Sequence, residues 1–120
     1  MITELIARVF AARNASQLAH WAARGPGSYA THVALSEFYE SVIDPLDKLV
    51  ECYQGNFDLV GEVKAYELKK GDILKQLSDE VVWIGKNRSE IAQDVNALEN
   101  IVDELTSVYL RAIYKLRNLR

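Results

Sequence analysis

Residues 2–56 read ITELIARVFAARNASQLAHWAARGPGSYATHVALSEFYESVIDPLDKLVECYQGN, and this stretch decides the fold. Apolar residues fall at 2, 5, 6, 9, 10 and 12, then at Leu18, Ala19 and Trp21, which is helical spacing rather than strand alternation. A first helix is therefore expected over Ile2–Ala23, ended by Gly25-Pro26-Gly27-Ser28. A second helix starts between Ser28 and Thr31. Its apolar seam runs His32, Leu35, Phe38/Tyr39, Val42, Leu46, Leu49/Val50 and Tyr53, and Gly55-Asn56 stops it. Pro45 lies inside this helix and removes a backbone donor, which predicts a bend. The two helices form an antiparallel hairpin. His20 and His32, the only histidines, stand at equal distances from the turn, so the hairpin places them side by side.

Working outward, residues 56–70 carry the weakest pattern. Glu62–Lys69 reads as a short helical piece, or the segment packs across a bundle end. Asp72 reads as the N-cap of a helix over Ile73–Arg88, with Leu74, Leu77, Val81/Val82 and Ile84 on its apolar side and Gly85 inside it. Ser89–Asp94 is a polar break. The last helix is expected over Asp94–Leu119, with a seam of Val95, Leu98, Val102, Leu105, Tyr109, Ala112, Leu116 and Leu119. Acidic residues (Asp94, Glu99, Asp103, Glu104) come early and basic ones (Arg111, Lys115, Arg117, Arg120) late, an order that complements the helix dipole. The expectation is an all-α four-helix bundle over 1–120, a single domain, with one long connection between helices 2 and 3.

At 120 residues with 49% apolar composition, the chain can bury one real core. Its net charge of −3 lacks the basic surplus of a general nucleic-acid binder. Glu4 and Arg8 interrupt the first apolar run, so it reads as helix rather than signal peptide. No apolar stretch is long enough to span a membrane. With Cys52 as the single cysteine, an internal disulfide is impossible and a reducing cytosol is the expected compartment. Cys52 sits in the second helix seam and reads as a buried, inert thiol.

No Gly-rich phosphate loop, HExxH, CxxC or GxSxG motif is present. The residues with metal-binding chemistry are the two histidines and the carboxylates that follow them. Asp47 and Glu51, four apart, share a helix face. His32 and Asp47 are separated by about 60° of azimuth but by roughly 22 Å along the helix. The histidine pair of one chain therefore cannot share an ion with its own Asp47 and Glu51. A two-fold partner with its second helix antiparallel brings the two halves together, giving two intersubunit sites per dimer.

The string His20-Trp21-x-x-x-Gly25, then His32, then Asp47-x-x-x-Glu51 and Gly55, resembles the Dps mini-ferritins, a branch of the ferritin-like superfamily. The likeness covers about residues 5–55. The ending Asn100-Ile101-Val102-Asp103-Glu104-Leu105 through Tyr114-Lys115-Leu116-Arg117 is similar to short ferritin-like proteins of tailed phages. The resemblance implies a ferritin-like bundle with His20, His32, Asp47 and Glu51 as ligands of an intersubunit ferroxidase centre, with Trp21 beside it. It implies iron as the metal, with zinc as the alternative, and peroxide or dioxygen as the oxidant. It further implies a two-fold homodimer extending to a dodecameric shell.

The chain departs from the family at Ser36, where an Asp often follows the second His by four. Glu37, rotated by about 100° from that position, is a poor substitute. The chain is also shorter around the third helix and has no Lys-rich tail ahead of the first, so DNA is not an expected partner. The expected function is Fe(II) oxidation. The alternative is a helical interaction or assembly protein with a degenerate or structural metal site. Tyr29, Tyr39 and Tyr53 are expected to pack with hydrogen-bonded hydroxyls, Trp83 to lie in core or interface, and Glu99, Asp103 and Glu104 to form a solvated face.

Overall fold

The structure, a computed structural model, describes residues 1–119; Arg120 lies outside them. Five helices are present: α1 (Ile2–Ala22), α2 (Ser28–Ser41), α3 (Ile43–Asn56), α4 (Ile73–Ala92) and α5 (Asn96–Asn118). α2 and α3 are one bent rod. The break falls at Val42, which keeps right-handed helical angles and donates its N–H to Phe38 O at 3.0 Å. Pro45 explains it, because proline has no N–H to donate to the Ser41 carbonyl and its ring pushes that carbonyl aside. The expected bend is present three residues upstream of the proline itself.

The turn between α1 and α2 is built by Pro26-Gly27. Ser28 N–H donates to Gly25 O at 3.1 Å, and Gly27 sits at φ 79°, ψ −5°, the left-handed position that a type II turn reserves for glycine. Asp72 caps α4 as expected, its side chain accepting from Lys75 N–H at 2.8 Å. α4 runs four residues past its expected end. The chain then reverses through Gln93 and Asp94, both at positive φ, while Asp94 N–H reaches back to Ser89 O.

Side-chain pairs fix the directions of the helices. Lys48–Glu104 and Lys115–Glu37 set α5 antiparallel to the α2–α3 rod. Arg88, paired with Glu99 and Asp103, sets α5 antiparallel to α4. The rod and α4 therefore run the same way. A single long crossover must return the chain along the bundle between them, the connectivity of ferritin-like bundles. α1 and α5 occupy opposite corners, each touching both the rod and α4.

That crossover, residues 57–72, corrects two expectations: it contains no helix, and it does not cross a bundle end. It is an extended strap whose Val60, Val63 and Leu68 pack on the core while Tyr66 stacks on Arg8. Its half-buried Val60, Val63 and Tyr66 recur every third position, a spacing that a helix and a threefold extended chain share, and Leu68 follows two residues later.

The core is formed by most of the expected seams together with Ala7, Ala34, Pro45, Ile91, Ala92, Ile101 and Ile113. Several apolar assignments are overturned. Phe10, Leu18 and Trp21 of the first seam are exposed. Val82 is exposed because one residue of helical rotation carries it off the seam that Val81 follows, and Leu119 because α5 ends at Asn118 and the chain turns extended there. Cys52 is exposed, because Leu46, Leu49 and Tyr53 form the inward stripe of α3. One polar residue takes a seam place: Glu80 is buried between α4 and α1, where it meets Arg8. Among the described residues no helix is long and apolar enough to cross a membrane.

Candidate metal centre

α1 and α2 bring His20 and His32 together as the turn symmetry requires. Their rings stack with centroids 3.6 Å apart and planes 15° from parallel. His20 Nδ1 lies 2.6 Å from His32 O, and His32 Nδ1 lies 2.9 Å from His20 O. A carbonyl can only accept, so each Nδ1 carries the proton in this reciprocal clasp. In the neutral ring the lone pair is then left on Nε2. This is the tautomer in which a metal-binding histidine is held when a backbone carbonyl takes its other N–H. The clasp also satisfies the His20 carbonyl, which lies in the last turn of α1 and has no intrahelical donor.

Around the pair, Tyr39 meets His20 edge-on at 5.4 Å, and the Arg13 guanidinium lies over the Tyr39 ring. Arg13 is itself held by Gln17 at 2.7 Å. Both histidines are half-buried. Trp21, next to His20, is 67% exposed, and Tyr29 at the start of α2 is 79% exposed. The expectation that Tyr29 packs inside is overturned: it sits on the solvent side of the first turn of α2, between the half-buried Ser28 and Ala30. Tyr53 meets its expectation, its hydroxyl accepting from Gln93 Nε2 at 2.7 Å. Leu18 and Phe10, near Trp21 in azimuth on α1, are exposed as well.

Asp47 and Glu51 lie on α3, both exposed. Lys48 between them turns to Glu104 of α5. Among the described residues no three His, Cys, Asp or Glu side chains stand close enough together to hold a metal ion. Within one chain the histidine pair, from α1 and α2, and the carboxylates of α3 thus stand apart. Ser36, one turn after His32, donates its hydroxyl to Val33 O at 2.9 Å. Glu37 pairs with Lys115 on α5, so it is committed to that side of the bundle.

The chain belongs to a family of unknown function, DUF5856, whose model matches residues 20–116. The matched interval opens on His20 and includes His32, Asp47 and Glu51. No curated protein matches this chain, and no solved structure does.

A second polar constellation escapes a reading by motifs. Arg8 Nη1 donates to both Glu80 oxygens at 3.1 and 3.0 Å, and Arg8 Nε donates to Glu4 at 3.1 Å. The guanidinium is sandwiched between the Tyr66 and Trp83 rings, 4.3 and 4.2 Å from their centroids. Burial pushes the Glu80 carboxyl above its ordinary value, while the Arg8 hydrogen bonds pull it back. The phenol of Tyr109, fully buried with no partner for its hydroxyl, is pushed well upward by the same desolvation. Trp83 therefore packs against the core as a cation–π wall. Glu99 and Asp103 are not an idle solvated face, since both hold Arg88; its hydrogen bonds keep Asp103 below its usual range.

Proposed function

We propose that this protein is a mini-ferritin-like iron-binding protein of the cytoplasm. Two copies pair about a two-fold axis and oxidise Fe(II), with peroxide or dioxygen, at sites between them. His20 and His32 supply nitrogen ligands from one subunit, and Asp47 and Glu51 supply oxygen ligands from the other. Imidazole suits the ferrous ion, and the harder carboxylates favour the ferric product. The observation that carries this reading is the reciprocal clasp, which leaves both Nε2 atoms unprotonated in the neutral rings. The exposed carboxylates of α3 and the exposed Phe10, Leu18 and Trp21 on α1 support it, because a second copy would cover apolar surface while bringing its own Asp47 and Glu51. Further two-fold pairs can assemble into a closed shell.

A second reading is favoured by Ser36, whose hydroxyl is spent on its own helix. On that reading the chain is a helical assembly protein in which the histidine pair is a structural clasp or a zinc site. The double change His20→Ala, His32→Ala separates the two. Unchanged assembly with lost iron oxidation supports the ferroxidase. Lost assembly, in a parent that takes up no iron, supports the structural role.

A further inference from the structure

Toward the N-terminal end of α1, away from the histidine clasp, the strap, α1 and α4 line a cleft of about 340 Å³, at the small end of ligand-site volumes of roughly 300–1,000 Å³. Arg8 lines it, with a side chain only 14% exposed. Its Nη1 and Nε are occupied by Glu80 and Glu4, but Nη2 has no acceptor among the described residues. Nη2 is not among the buried atoms left without a partner, so it opens to the solvent of the cleft. Two further cations of the lining, Lys69 on the strap and Lys86 on α4, have no carboxylate partner among the described residues. The third, Lys75, is neutralised by Asp79 at 3.1 Å. On a chain with net charge −3, this recess carries an unpaired positive surplus around a partly engaged guanidinium. Trp83 gives it an aromatic wall.

We propose that this cleft binds a small aromatic anion of nucleoside-monophosphate size. Its charged end is held by Arg8 Nη2, Lys69 and Lys86, and its ring lies against the part of Trp83 that Arg8 leaves uncovered. The free Nη2 can donate to a phosphate or carboxylate oxygen, and the lysines add unfocused charge. Since Tyr66 and Lys69 belong to the strap, a bound anion would also tie the strap to the bundle.

The probe is adenosine 5′-monophosphate, titrated into the full-length protein by calorimetry and by ¹H–¹⁵N NMR of the two indole N–H signals, assigned with Trp21→Phe. The expected result is saturable binding that shifts the Trp83 indole and leaves the Trp21 indole in place. Lys69→Ala with Lys86→Ala, both at exposed sites, should weaken that binding by about tenfold or more with an unchanged melting curve. Adenosine and inorganic phosphate should each bind more weakly than the nucleotide. Absence of saturable binding at millimolar nucleotide overturns the proposal. So does a double lysine variant that binds as the parent does, or adenosine or phosphate matching the nucleotide. None of these readouts depends on iron.

Discussion

Arg8→Met should be the most destabilising single change at a residue outside the apolar core. Arg8 and Glu80 are 14% and 6% exposed at their side chains, and Arg8 joins α1, α4 and the strap at one point. Removing the guanidinium strands a buried carboxylate and ends two aromatic contacts. Breaking a buried pair costs about 3–5 kcal/mol, and desolvated cation–π contacts add roughly 1 kcal/mol, for a total of about 4–6 kcal/mol. A domain of this size has about 5–15 kcal/mol in all, so the variant should be marginal at best.

The pH dependence follows from the sign of the shift. The folded carboxyl of Glu80 lies above its ordinary value of 4.5, so its contribution is fully present below that value and is lost as pH rises through the folded pKa. Without Arg8 the folded value climbs further. The deficit of Arg8→Met against the parent should therefore be largest near neutrality and shrink as pH falls toward 4.5. Denaturant unfolding followed by far-UV circular dichroism measures this. The double variant Arg8→Met, Glu80→Leu should recover to within about 1–2 kcal/mol of the parent, since a buried pair replaced by apolar groups is near neutral. A cost below about 1 kcal/mol for Arg8→Met, or a double variant no better than the single, would refute the reasoning.

Other changes test local claims. Asp72→Ala removes the cap of α4 and should cost about 1 kcal/mol in the same unfolding assay, with Asp72→Asn close to neutral. Tyr109→Phe removes a buried hydroxyl that has no partner, and should be neutral or stabilising by up to about 1 kcal/mol rather than destabilising. Gln93→Gly, at φ 50°, should stabilise by up to about 1 kcal/mol through relief of left-handed backbone, read as a raised melting temperature. Limited proteolysis of Arg8→Met should cut first within 57–72, because the strap loses the stack on Tyr66.

The helices were legible because their apolar spacing is long and regular, and the juxtaposition of His20 with His32 followed from turn symmetry alone. What stayed hidden has specific causes. The strap was hidden because residues 56–70 carry the weakest pattern of the chain, and the half-burial of Val60, Val63 and Tyr66 at every third residue does not separate helix from threefold extended chain. Glu80 was missed because a helical glutamate is normally solvated. Yet it sits three residues after Leu77 and four before Ile84, squarely on the seam, just as Arg8 sits between Leu5 and Ala12. Two opposite charges on the inward stripes of two different helices are the signal that finds such a pair. The exposure of Cys52 and Val82 turns on a single residue of helical rotation, finer than a seam drawn by eye. For the candidate site, the turn brings His20 of α1 and His32 of α2 together, whereas Asp47 and Glu51 lie on α3 away from them, so the proposed centre needs a second copy to supply its carboxylates.

The account stands most directly on native mass spectrometry of the full-length protein before and after Fe(II) is added in air. It predicts an even-numbered oligomer that gains one or two irons per chain, with uptake lost in His20→Ala, His32→Ala. A monomer, or an oligomer that takes up no iron, would contradict it.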